Sequence, residues 1–100
     1  MARKHPRQLA VPGDAWTDAN SAEIFRAWVV NGGLQVSMQR AFEGPEPWGM
    51  LMVDIARHAA RIYAREGVCS ETEALGRIRS LFDAEWDSPT DLGTTGSARQ

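Results

Sequence analysis

Residues 20–39, Asn-Ser-Ala-Glu-Ile-Phe-Arg-Ala-Trp-Val-Val-Asn-Gly-Gly-Leu-Gln-Val-Ser-Met-Gln, decide the fold. In the first half, Ile24, Phe25, Trp28 and Val29 recur at a helical spacing and make one apolar stripe. Asn20 is a suitable cap, and Glu23 three residues later gives a loose capping box. Asn31-Gly32-Gly33 then supplies a helix stop, because glycine readily takes the left-handed conformation of a C-terminal cap. This reading predicts a helix over residues 20–31. In the second half Leu34, Val36 and Met38 alternate with Gln35, Ser37 and Gln39, which predicts a strand with one apolar face.

Toward the N-terminus, Leu9-Ala10-Val11 alternates briefly before Pro12-Gly13 and reads as a short edge strand. Residues 1–6 read as frayed, and Trp16 sits in a polar loop where its indole is expected to find apolar cover. Toward the C-terminus, Pro45 and Pro47 mark a turn. A helix is predicted from Pro47 to Glu66, stopped by Gly67. Its stripe of Trp48, Leu51, Met52, Ile55, Ala59, Ile62 and Tyr63 is widened by Val53, Ala56 and Ala60, so more than one neighbour is expected to pack on it. Ser70-Glu71-Thr72-Glu73 is a capping box for a further helix lined by Ala74, Leu75, Ile78, Leu81, Phe82 and Trp86, and Ser88-Pro89 ends it. Residues 89–100 read as a disordered tail.

The expected architecture is α+β, one domain over residues 7–88, with a two-stranded sheet and three helices in the order β-α-β-α-α. So small a sheet is marginal by itself, and its open edge is a template for pairing. A homodimer is therefore expected, with the sheet completed across the two copies or the two long helices packed across a two-fold axis.

The hydrophobic share of 43% and charged share of 24% are those of a globular chain. A net charge of −2 argues against a dedicated nucleic-acid binder. Cys69 stands alone, so neither an internal disulfide nor a cysteine-based zinc site can form, in keeping with a reducing compartment. No apolar stretch has the length of a signal peptide or a membrane span, and the cytoplasm is the expected location.

Polar chemistry concentrates on the helix predicted from Pro47. Asp54 and His58 are four residues apart and Arg61 follows three later, which places them together on one helix face. Such a group could orient an imidazole and hold a small anion, so these three are the candidate ligand-binding residues; the plainer account is a solvated face with intrahelical ion pairs. Arg57 and Arg65 extend a basic row with Arg61 and are the candidate phosphate contacts, without a helix-turn-helix spacing or an aromatic platform to accompany them. Gly32-Gly33 lacks the lysine and glycine spacing of a phosphate loop. No catalytic residue, metal ligand set or cofactor is assigned.

The runs Glu23-Ile24-Phe25-Arg26-Ala27-Trp28, Asn31-Gly32-Gly33-Leu34, Trp48-Gly49 and Val53-Asp54-Ile55-Ala56-Arg57-His58 resemble a family of small proteobacterial proteins of unknown function, over a span from about Leu9 to Trp86. The resemblance implies a bacterial, cytoplasmic protein and carries no catalytic residue over. The functional expectation is a non-enzymatic interaction or regulatory protein acting as a homodimer, with room for a protein partner. A small-anion or metabolite binder at Asp54, His58 and Arg61 is the alternative, and a nucleic-acid-associated regulator the third.

Overall fold

Asn31 and Gly32 both hold positive φ, 51° and 78°. Those are the signs demanded at the two central positions of a type I′ turn, the connection whose twist suits a two-residue β-hairpin. The computed structural model, which describes residues 4–95, builds that hairpin: β1 (Phe25–Val30) pairs antiparallel with β2 (Gly33–Met38), in a register that sets Phe25 opposite Met38, Ala27 opposite Val36 and Val29 opposite Leu34. The helix expected over residues 20–31 is therefore a strand. The physical reason is twofold: Phe25, Trp28, Val29 and Val30 are β-favouring side chains, and the stripe that fits a helix also fits two strand faces. Gln39 closes the open end of the ladder, its N–H donating to the Ile24 carbonyl at 3.1 Å and its side-chain amide to the Glu23 carbonyl at 2.8 Å.

The strand expected at Leu9-Ala10-Val11 is absent; that segment leads without regular structure into a single helical turn, α1 (Gly13–Thr17). Two strands and three helices are present, as the sequence implies, but in the order α-β-β-α-α rather than β-α-β-α-α. The contacts divide the chain into two units, with the boundary between Ala41 and Phe42. In the first unit Phe25, Ala27, Val29, Leu34, Val36 and Met38 share one face of the hairpin, and all six are exposed. On the other face the His5 ring meets Trp28 edge-on, with centroids 4.9 Å apart. Trp16 does not find the cover expected of it and is 77% exposed.

The second unit is a helical hairpin, α2 (Pro47–Arg65) and α3 (Glu71–Asp87). Its connection is tightly specified. The Gly67 N–H donates to the Ala64 carbonyl at 3.1 Å and the Val68 N–H to Tyr63 at 3.0 Å, with Gly67 at φ 75°, which is a Schellman motif. Ser70 Oγ then accepts from the Glu73 N–H at 3.0 Å and caps α3. At the far end Thr90, counted in the tail from the sequence, donates from N–H and Oγ1 to the two Glu85 carboxylate oxygens, each at 2.9 Å. The remainder of that tail from residue 96, and residues 1–3 of the frayed start, lie outside the described residues. Among the described residues, no helix is long and apolar enough to cross a membrane.

Candidate functional site

The polar face of α2 carries Asp54, His58, Arg61 and Arg65 in helical succession, with Arg57 at its margin, and all five are exposed. Two of the three proposed ligand-binding residues come together: the Arg61 Nη1 lies 3.5 Å from the His58 Nδ1. Asp54 makes no hydrogen bond or ion pair to another described residue, so the carboxylate that would orient His58 does not do so. Arg61 also leans toward the start of α3, its Nε 3.9 Å from Glu71 Oε2. Both partners are about half exposed, and such a pair contributes on the order of 0–1 kcal/mol.

Arg61 near the end of α2 meets Glu71 at the start of α3, while Trp48 at the start of α2 and Trp86 near the end of α3 line one cleft. The helices are thus antiparallel. Close to their connection Ala60 and Ala74 are buried, the only two such side chains among the described residues. Away from it the helices leave an apolar cleft of about 570 Å³, whose walls include Trp48, Met52, Val53, Ile78, Phe82 and Trp86. Phe82 stacks on Trp86 with centroids 5.6 Å apart, and Trp86 remains 71% exposed. Arg57 stands at the rim with Arg79 and Asp83; Arg79 Nε is held by Asp83 at 3.0 Å, and Arg57 has no ion-pair partner among the described residues. Asp54, His58, Arg61 and Arg65 take no part in this cleft.

A second cavity, of about 720 Å³, lies within the first unit between residues 7–16 and β1, with Trp16, Trp28, Arg7 and Arg26 in its walls. Arg26 is fixed by Glu23 through Nε–Oε1 at 3.0 Å, a bond that raises its pKa above the ordinary arginine value. Among the described residues, no polar or charged side chain is buried, and no three His, Cys, Asp or Glu side chains gather as metal ligands would. Cys69 is half-buried in the α2–α3 connection and pairs with no other cysteine.

The cleft residues are visible in the sequence as helical stripes and read there as core. The signal of a surface is the surplus: α2 has more apolar arc than one neighbour can cover.

A β-hairpin and a capped helical hairpin, with large apolar side chains left open on the helices, define a small α+β protein built around uncovered surfaces. The chain matches domain of unknown function DUF5076 over residues 8–90 and belongs to that family. It is 49% identical to a solved structure from the photosynthetic bacterium Rhodopseudomonas palustrus CGA009, named a "putative pyruvate dehydrogenase", with a TM-score of 0.80 and coverage of 95% of this chain and 98% of that one. No curated protein matches the chain.

Proposed function

We propose that this chain is a small non-enzymatic interaction protein that acts as a homodimer through the surface of α2 and α3. The carrying observation is the exposure of large apolar side chains on these two helices, with Met50 at 70%, Leu81 at 66% and Trp86 at 71%. Single exposed leucines need no explanation, but several large apolar side chains left open on two packed helices mark a candidate contact surface. The name of the solved relative does not travel with its fold. That name is said of the relative alone, and no activity is carried from it to this chain. Light scattering at micromolar concentration tests the proposal: twice the chain mass is expected, and a monomer there overturns it.

A second reading places a small anion at His58 and Arg61. Their 3.5 Å approach supports it, since a cation and a donor ring on one turn suit an oxyanion. Phosphate titration followed by the His58 ring resonances tests it; ring shifts that do not saturate with phosphate remove it.

A further inference from the structure

The polar side chains of α2, Asp54, Arg57, His58, Arg61 and Arg65, occupy one sector of the helix. Val53, Ala56 and Ala60 face α3, which leaves Leu51, Ile55 and Ile62 on a further apolar arc turned away from it. Ile55 is 48% and Ile62 50% exposed, while Leu51 is half-buried. A helix apolar on two sides is built for two neighbours, and within its own unit α2 packs with one, α3.

Resting on the homodimeric reading above, we propose that α2 and α3 are half of a four-helix bundle. In it α2 of one protomer lies against α3 of its partner, with Leu51, Ile55 and Ile62 set on the exposed Leu81. Three observations favour a second copy as the occupant. The first is area. Ile55, Ile62 and Leu81 are each 48% or more exposed, apolar surface that one helical hairpin by itself leaves in water. The second is charge. Helix α2 carries three arginines against one aspartate, whereas α3 carries five carboxylates against two arginines, so α2 of one copy and α3 of another attract. The third is length. At 19 and 17 residues the helices are matched, as the members of an antiparallel bundle must be.

The test uses the full chain and light scattering, with circular dichroism to confirm that each variant stays helical. Ile55→Glu and Leu81→Glu are expected to give helical monomers, because each buries a charge at the seam, while Val29→Glu on the β-hairpin leaves the dimer intact. Should Ile55→Glu fail to fold, Ile55→Ala decides by dilution, with an expected weakening of the dimer of about tenfold. A parent dimer that survives both glutamate variants overturns the bundle and leaves the homodimer standing. So does a dimer that Val29→Glu alone disrupts, and it would point instead to a sheet completed across the two copies. A parent monomer at micromolar concentration overturns both readings.

Discussion

The β-hairpin and the helical hairpin are two answers to one problem, how to turn a chain back on itself. In the β-hairpin the return is made by backbone alone: Asn31 and Gly32 at positive φ, and a ladder running from Val30–Gly33 to Phe25–Met38. In the helical hairpin it is made by side chains and caps: Gly67 in the Schellman motif, Ser70 on the Glu73 N–H, and Ala60 and Ala74 buried beside the connection. The comparison shows that stringent turn chemistry does not require a closed core. Both hairpins are locally well specified, and both leave apolar faces open.

The comparison is easiest to break at the β-turn. Gly32→Val places a β-branched residue at φ 78° and is expected to cost about 2 kcal/mol, read as a fall in the denaturation midpoint with the β-hairpin amide resonances lost first. Gly67→Ala in the helical connection, at φ 75° and with open space around the added methyl group, is expected to cost about 1 kcal/mol by the same measurement. Ser70→Ala removes the cap of α3 and is expected to cost about 1 kcal/mol or slightly less, with Ser70→Thr restoring most of it. His58→Ala, on an exposed polar face, is expected to shift stability by no more than about 0.5 kcal/mol, and a large fall in melting temperature would contradict that placement.

Legibility divides along the same line. The helical hairpin can be read because its signals have one meaning each: Pro47 in the first turn, Gly67 after the last, Ser70 three residues before Glu73. The β-hairpin cannot be read from apolar spacing, since Phe25, Trp28 and Val29 satisfy both periodicities. Asn31-Gly32 is the deciding pair, and it is itself ambiguous: it stops a helix, and it equally turns a hairpin when the next segment can pair back on the one before. At the candidate site, spacing correctly places Asp54, His58 and Arg61 on one face. Which of them touch is a matter of rotamer, and only the His58–Arg61 approach forms. The apolar cleft is hidden because a stripe reads the same whether a neighbour covers it or not.

The order of the two hairpins along the chain also has a consequence during synthesis. The β-hairpin is complete at Met38, whereas the last helical turn waits for Asp87. At about 5–20 residues per second, translation of the intervening segment takes on the order of several seconds, while a hairpin closes in about 1–10 microseconds. The six-residue apolar face and both strand edges therefore have time to form and reopen many times on nascent chains before α3 exists. Ribosomes moving in file along a message would hold such faces close together, which makes this segment the one to watch for association, or for chaperone capture, while the protein is being made.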